Sequence, residues 1–593
     1  MKLALGQKAV AGLLSVIVLY GALLRFEAFE RTYGPLQTGY RGLQLQERVA
    51  TLASHLRPVT VTWKRGRYPY RFDAKSYLGS AQEMRYFYEA RAREPAFVFA
   101  TKLGLWMTGG QDIAVSAVSG VSSTLLVPAT FLLGFELGGP LVGLPAAFLV
   151  SLDPDLVSWS TMGFRDDFFA LATVVFVWTC LVLTRSPSRL KAIAVGIAGA
   201  AACLTRITSF SFVVPTLVLL VCSPGAHERR GMLRLSGIAA VVAAALLAPF
   251  LIDCWLRFGD PLFAINWVTG FYLSKEAGAQ RPPTGIVPYL LDHSRSETLH
   301  SVDTLMRGMT VYPWANKWEG LAKHCSSWLA GCLKVLCIPG LLLWLWSRRG
   351  LLVLTALAGS LLPFAVTWEL YPEWRFTLHA VPFLIVAVVS FICTTLATLH
   401  AWVRERGVPW AEARIVAQGT LASAALFLIV SGAMYALSTV MFVDDLAEGK
   451  PAALVAGDRD WFYFARSWSA ARREGNVPYR YVDGREGTIL VPLARGGAFD
   501  CVLRMDPVPT DRSPDAAVPP LDLELEINGD WRQDVQMRYD PHRVGQHSVE
   551  IPPGVLQPGI NRIELRALPS DTSASMPRGA SAFRLWYLRL APR

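Results

Sequence analysis

The residues of this chain best suited to chemistry are acids and arginines at the edges of apolar runs: Asp73, Glu94, Asp166, Asp167, Arg206, Arg257, Glu373 and Arg375, with Tyr77 and His379 beside them. Asp73, Tyr77 and Ala81 recur every four residues in DAKSYLGSA, the spacing of one helix face. A carboxylate fixed there suits removal of a proton from an acceptor hydroxyl; the plainer alternative is that Asp73 caps the helix it opens. Glu94, in Arg93-Glu94-Pro95, is a second acid ahead of an apolar run. Asp166 and Asp167, in GFRDDFFALA, are either working carboxylates or a negative first turn favoured by the helix dipole. Arg206 interrupts ACLTRITSFSFVV, where an unpaired charge is costly and usually functional. Its planar fork suits phosphate oxygens, and the alternative is that it snorkels to the headgroups. Arg375, in YPEWRFTLHAVP, has the choice of a phosphate or sugar contact or an ion pair with Glu373.

What must position these groups is a set of membrane-spanning helices. Of the 593 residues 52% are hydrophobic and only 17% charged, with a mean hydropathy of +0.34, too apolar for a soluble chain of this length. Eleven runs read as spans: 9–24, 111–135, 140–158, 164–184, 190–205, 207–222, 234–252, 328–346, 351–367, 376–398 and 415–442. Each approaches the roughly 20 residues that cross about 30 Å of hydrocarbon. The first reads as an uncleaved signal anchor.

Positive charge orients the spans. Lys2 and Lys8; Arg185, Arg189 and Lys191; Arg229, Arg230 and Arg234; Arg348 and Arg349; and Arg404, Arg406 and Arg414 all fall in short connections, which the positive-inside rule places in the cytoplasm. The chemistry-bearing residues then share the outer face, in a first outer loop (25–110), a large aromatic-rich outer loop (253–327) and the outer ends of spans. Counting 95–108 as a span would invert every later loop, so that segment reads as an interfacial helix with Trp106 near the headgroups. The net charge of +11 largely anchors topology; with no basic soluble face, a nucleic-acid partner is excluded. The nine cysteines suggest neither zinc nor a disulfide framework, although a Cys254–Cys325 bridge fits the outer loop.

From about residue 443 to 593 the pattern changes to alternating strands at 521–527, 547–552, 560–565 and 582–590, broken by Pro and Gly. This reads as an extracytoplasmic β-sandwich, and its EINGDWRQ and LQPGINRIEL are similar to galactose-binding-like jelly rolls.

Taken in order, DAKSYLGSA, REPAFVF, GFRDDFFALA, LTRITSF, WLRFGDPLFAIN and WRFTLHAVPFL resemble the GT-C glycosyltransferases that use polyprenyl-phosphate sugars, such as the protein O-mannosyltransferases and the lipid A aminoarabinose transferases. The resemblance covers roughly residues 1–400 of a membrane domain spanning 1–442. It implies a polytopic α-helical membrane protein with the GT-C fold, located in the plasma or inner membrane with an outward-facing site. Asp73 matches the family's catalytic carboxylate, Asp166 or Asp167 its second acid, and Arg206 its phosphate-side cation. The large outer loop reads as a flap over the donor. Where the family often has an Asp-Glu pair, this chain has Asp73-Ala74, so a role shared between neighbouring acids does not carry over. The implied partners are a polyprenyl-phosphate-linked sugar donor, a lipid, glycan or protein acceptor and membrane lipids. A divalent cation, Mg or Mn, held by Asp73 with Asp166 or Asp167 stays an open alternative. Two other readings compete: a transporter or flippase of a lipid-linked sugar, which calls for inverted repeats and mid-membrane charges, and a membrane-anchored glycan-binding protein, which leaves the acids of the first loop without a task. The orientation is tested by cysteine labelling. A cysteine introduced near Asp166 should react with a membrane-impermeant thiol reagent from outside and one near Arg229 should not; the reverse pattern would mean that 95–108 spans the bilayer.

Overall fold

The structure, a computed structural model, describes residues 6–33, 72–108, 112–222, 229–267, 295–310, 327–365, 374–405, 432–434, 436–456, 463–469, 472–474, 477–483, 485–507, 521–537, 544–568 and 581–593, with Gly110 and Ile429. The chain divides into two compact units, Met1–Ile286 with Thr304–Leu426 and Val287–Asp303 with Phe427–Arg593.

The first unit is built from helices: α1 (Gln7–Tyr33), α2 (Phe72–Glu83), α3 (Pro95–Met107), α4 (Ala114–Gly138), α5 (Pro140–Leu152), α6 (Pro154–Trp159), α7 (Asp166–Arg185), α8 (Arg189–Thr205), α9 (Phe210–Cys222), α10 (Arg229–Phe258), part of α11 (Arg295–Thr310), α12 (Ser327–Leu343), α13 (Arg348–Ala365) and α14 (Val381–Glu405). Among the described residues seven helical stretches are long and apolar enough to cross a membrane: 7–33, 114–138, 166–185, 229–258, 329–346, 348–365 and 375–400. The chain is an integral, polytopic membrane protein.

Several expected spans take a different form. The run 140–158 breaks where Asp153 accepts hydrogen bonds from the backbone N–H of Asp155 (3.1 Å) and Leu156 (3.0 Å), capping a new helix that opens with Pro154. The runs 190–205 and 207–222 become α8 and α9, of 17 and 13 residues, separated by an extended Arg206 and a 3-10 turn at Ile207–Ser209. The run 415–442 lies largely outside the described residues, as does Cys325; the other eight cysteines are free. Segment 95–108 is a helix, α3, that buries Phe97, Val98, Thr101 and Leu105 and leaves Trp106 81% exposed.

Helices meet at backbone distance where side chains vanish. A Cβ added at Gly196 would lie 2.5 Å from the Ala239 carbonyl oxygen, and one at Gly359 would lie 2.5 Å from that of Ser211. Lipid offers no hydrophobic drive between helices, so close packing of this kind supplies the cohesion.

The polar groups separate to opposite ends of α7. At its C-terminus Arg185 pairs with buried Glu136 of α4 (2.9 Å), whose carbonyl accepts from Arg349 of α13 (3.4 Å). At its N-terminus Arg165 and Asp166 join charges from α2, the α2–α3 connection, the α8 end and the segment before α14. The 20 residues of α7 put these ends about 30 Å apart. Arg185 and Arg349 thus lie at one end of α7, and Asp73, Asp166, Arg206 and Arg375 at the other.

The second unit contains a β-sandwich. One sheet runs β3-β4-β11-β6-β9, with β1 also on β11; the other runs β2-β5-β10-β7-β8. The strands concerned are β1 (Ala452–Val455), β2 (Phe464–Arg466), β3 (Arg472–Glu474), β4 (Val477–Asp483), β5 (Glu486–Leu493), β6 (Gly497–Pro507), β7 (Leu521–Ile527), β8 (Trp531–Met537), β9 (Gln546–Leu556), β10 (Gly559–Ala567) and β11 (Ser581–Pro592). Alternation drives it: Leu523, Leu525 and Ile527 of β7 and Ile563 and Leu565 of β10 are fully buried, while the residues between them face outward. The β7–β8 turn uses Asn528 (φ 54°) and Gly529 (φ 83°).

The two motifs singled out in this part of the sequence are one structure. Asn528 Nδ2 donates to Asn561 Oδ1 (2.9 Å), which also accepts from the Gln557 N–H (2.8 Å), while Asn561 Nδ2 donates to the Gln557 carbonyl (2.7 Å). Asn561 is 1% exposed. Asn561→Leu leaves buried groups without partners and should destabilise the sandwich by about 1–3 kcal/mol. A thermal midpoint equal to that of wild type would show that the asparagine pair contributes nothing.

Candidate active site

Local sequence sets each component in place. Asp73 sits in the first turn of α2 and Tyr77 one turn later. Tyr77, Leu78 and Ala81 pack on Phe97 and Val98 of α3, with the Tyr77 and Phe97 rings edge to face at 5.1 Å. Pro95 opens α3, where the missing N–H costs nothing, so Arg93 and Glu94 are held at its start. Arg165 immediately precedes α7, Arg206 sits where α8 breaks, and Arg375 lies in the 3-10 helix Trp374–Ala380 that leads into α14.

These charges form an alternating chain. Arg93 donates to Asp73 Oδ1 (3.0 Å), and Arg375 donates through NH2 to Asp73 Oδ2 (2.6 Å). The other nitrogen of Arg375 lies 3.7 Å from Asp166 Oδ2, and Asp166 Oδ1 accepts from Arg206. Beside this chain buried Glu94 pairs with Arg165 and accepts from the Ile207 N–H (2.9 Å), while Arg165 donates to the Thr205 carbonyl (3.2 Å). Among the described residues four guanidiniums thus face three carboxylates.

Aromatic rings fix the arginine planes. Arg206 lies 5.1, 4.9 and 5.5 Å from the ring centroids of Phe169, Phe364 and Phe376. Arg375 lies 4.3 Å from that of Phe164 and 4.9 Å from that of Phe376. Such cation–π contacts orient a guanidinium while leaving its N–H edge free for an anion. Burial pushes the Asp73 carboxyl upward, but the guanidiniums of Arg375 and Arg93 outweigh it and hold the group below its ordinary range. Burial raises the Tyr77 phenol, so it stays neutral.

The sequence candidates divide. Asp73, Asp166, Arg206 and Arg375 come together as a connected group, with Tyr77 against it: its ring lies 5.4 Å from the Arg93 guanidinium and 5.9 Å from that of Arg165. Glu94 adjoins the group but is consumed by Arg165 and a backbone N–H. Asp167, one residue beyond Asp166, turns about 100° around the helix; it is fully buried, and Arg25 of α1 is its electrostatic counterpart. Arg257 belongs to another network, with Asp253 (2.9 Å), Glu89 (3.4 Å) and the Tyr86 hydroxyl (2.5 Å), which ties the α2–α3 connection to the end of α10. His379 is buried, with Nε2 3.1 Å from Ser360 Oγ and its ring against Phe169 and Phe364; it backs the rings around Arg206. Glu373 and much of the aromatic outer loop lie outside the described residues. For Asp73, the side-chain partners are two arginines rather than the helix's own N–H groups.

Sequence reasoning passed over Arg93 and Arg165. Each directly precedes an acid, and such a pair reads as locally neutral; the available signal was its occurrence twice, each time at the start of an apolar helix. Among the described residues no three His, Cys, Asp or Glu side chains come together to hold a metal. Asp73 and Asp166 are separated by Arg375 instead of converging on a common point, so the carboxylates as placed do not fit a divalent cation.

Glu94 offers a test of this division. Glu94→Gln removes the partner of a buried guanidinium and should destabilise the protein by about 3–5 kcal/mol, with Arg165→Met in the same chain restoring much of the loss. A Glu94→Gln protein of unchanged thermal midpoint and abolished activity would instead put Glu94 in the chemistry.

Comparison with known proteins bears on the same region. Residues 92–253 match the dolichyl-phosphate-mannose-protein mannosyltransferase family. No curated protein matches the chain. Among solved structures, the archaeal oligosaccharyltransferase AglB from Archaeoglobus fulgidus, in complex with an inhibitory peptide and a dolichol-phosphate, is 12% identical, with a TM-score of 0.41 over 72% of this chain and 57% of that one. This chain therefore spans little more than half of that protein's length. The arabinosyltransferase EmbB from Mycobacterium smegmatis is 11% identical, with a TM-score of 0.25 over 93% of this chain and 67% of that one. The C-terminal CBM6 of LamC, a laminarinase from Zobellia galactanivorans, is 8% identical, with a TM-score of 0.16 over 24% of this chain and 99% of that one. The resemblance read from the sequence is borne out by the family match, which takes in Glu94, Arg165, Asp166 and Arg206 and leaves Asp73 and Arg375 outside it: across residues 92–253 this chain carries the sequence pattern of the dolichyl-phosphate-mannose-protein mannosyltransferases.

Proposed function

We propose that this protein is a GT-C glycosyltransferase that moves a sugar from a polyprenyl-phosphate carrier to an acceptor hydroxyl at the outer, membrane-facing surface, with inversion. One observation carries the reading: a carboxylate, Asp73, is linked through Arg375 and Asp166 to Arg206, so an acid and two guanidiniums suited to a base and to phosphate binding form one connected group at one end of α7. A lipid carrier anchored in the bilayer presents its phosphate at that level. Outside the cytoplasm there is no pool of nucleotide sugars, so a lipid-linked donor is the form in which an activated sugar arrives.

The reaction follows from these groups. The acceptor hydroxyl gives its proton to Asp73 while its oxygen bonds to the anomeric carbon. The carbon–oxygen bond to phosphate breaks, and its electron pair stays on the phosphate oxygen. A phosphodiester monoanion thus leaves as a polyprenyl phosphate dianion, and the charge it gains is met by Arg206 and Arg375, already oriented by their aromatic neighbours. Glu94 and Arg165 are positioning residues: their pair joins the start of α3, the start of α7 and the break after α8, three of the places from which the site is built.

Transfer from a polyprenyl-phosphate donor, measured on purified variants matched in thermal stability, tests the assignment. Asp73→Asn, nearly isosteric, should lower transfer by roughly 10²-fold or more, the scale of a lost general base. Arg206→Ala should weaken use of the donor, and Arg206→Lys should recover part of it, because charge survives while the fork is lost. Near-normal turnover of Asp73→Asn would remove Asp73 from the role of base.

A further inference from the structure

Asp73 is held in a manner that opposes its proposed task. Both of its oxygens accept charge-assisted bonds, Oδ1 from Arg93 and Oδ2 from Arg375. A carboxylate so engaged is kept in its charged form and is a poor proton acceptor. One guanidinium must therefore withdraw before the acceptor's proton can be taken.

The two arginines are not equivalent. Arg93 is a quarter exposed and touches one carboxylate in this group. Arg375 is 8% exposed at its side chain and also reaches a second acid, Asp166, 3.7 Å from NH1 while NH2 sits 2.6 Å from Asp73. Its guanidinium carbon lies 4.3 Å from the ring centroid of Phe164 and 4.9 Å from that of Phe376, and Asp166 stands on the side away from Asp73 as an alternative partner. Asp166 in turn holds Arg206, so an anion bound by Arg206 lies at the far end of the same chain.

We infer that Arg375 is a latch on the base: a donor phosphate seated between Arg206 and Arg375 draws Arg375 off Asp73 Oδ2, so that the carboxylate becomes able to accept the acceptor's proton only once the donor is in place. The inference rests on the reading of Asp73 as the base. It gives the site an order, donor before acceptor, and a reason for placing an arginine between two acids. Among the described residues the charged and titratable groups around Asp73 include Arg93 from the α2–α3 connection, Arg165 from the start of α7, Arg375 from the 3-10 segment before α14 and Tyr77 on its own helix. Of the three arginines, Arg375 bridges to the acid that holds Arg206.

Full-length protein in lipid nanodiscs allows the latch to be read directly. A water-soluble carbodiimide modifies a carboxyl in its protonated form, so the pH midpoint of Asp73 labelling, followed by peptide mass spectrometry, reports its basicity. Polyprenyl phosphate without sugar serves as the probe, and its binding is confirmed by a rise in thermal midpoint. The expected result is a labelling midpoint that moves to higher pH when the lipid phosphate binds. Arg375→Gln should start from the higher midpoint and respond much less; Arg375→Lys, which keeps the charge, should lie between; Arg93→Gln should raise the starting midpoint and keep the full response. A bound dianion raises the midpoint by its field alone, so the latch is read from the difference between wild type and Arg375→Gln. Equal responses in the two, or binding with no shift, would overturn it. If Asp73→Asn abolishes transfer while the two responses are equal, the latch alone is lost; if Asp73→Asn transfers normally, the base assignment fails with it. Inorganic phosphate forms a parallel arm, and a response to it without one to the lipid would overturn the carrier as the trigger.

Discussion

A charge buried among apolar helices must have its countercharge within reach, and this requirement organises the membrane unit. Arg165, Arg206 and Arg375 are each less than a tenth exposed, and each is met by a carboxylate brought from a distant part of the chain. Removing one member of such a pair leaves the other stranded at a cost of several kcal/mol, whereas the intact pair contributes little net stability. Pairs of this kind therefore specify which helix ends meet more than they hold those ends together. Glu94 accepts from both Arg165 and the Ile207 N–H, fixing the start of α3 against the break between α8 and α9.

Those breaks are where the apolar pattern gives way, and they supply the site. An uninterrupted helix through Arg206 would satisfy its backbone internally and present no free N–H. The extended residue at 206 instead exposes the Thr205 carbonyl to Arg165 and the Ile207 N–H to Glu94, so the side chains that surround the candidate site also satisfy the backbone. The aromatic rings complete the arrangement: Phe169, Phe364 and Phe376 come from α7, α13 and the 3-10 segment, so three elements close on the Arg206 guanidinium.

The sandwich follows a different economy, that of a water-exposed sheet protein whose inner face is apolar and whose outer face carries cross-strand charges. Arg566 of β10 contacts Glu524 of β7 and Glu486 of β5, and Arg532 of β8 contacts Glu526. Exposed pairs of this kind add little stability. Uniqueness there comes from buried polar groups such as Asn561, whose partners fix the register between turn and strand.

The sequence by itself determined the class of the protein, because apolar run length, strand alternation and the clustering of Lys and Arg are local properties read residue by residue. It also offered Asp73, Asp166, Arg206 and Arg375 as candidates, alongside Glu94, Asp167 and Arg257. The sandwich strands at 521–527 and 560–565 lie inside β7 and β10, because period-two alternation needs no tertiary information. What joined the site did require the fold. Asp73 and Arg375 are 302 positions apart, and no spacing rule connects them. The choice of Asp166 over Asp167 depends on which side of α7 faces Arg206, a rotation about the helix axis that packing alone sets. Arg257 and Arg375 look alike in sequence, as arginines beside aromatic residues near a helix end; only the three-dimensional arrangement gave Arg257 to Asp253 and Glu89 and gave Arg375 to Asp73, because a charge in an apolar bundle takes whichever countercharge the helix packing brings within reach.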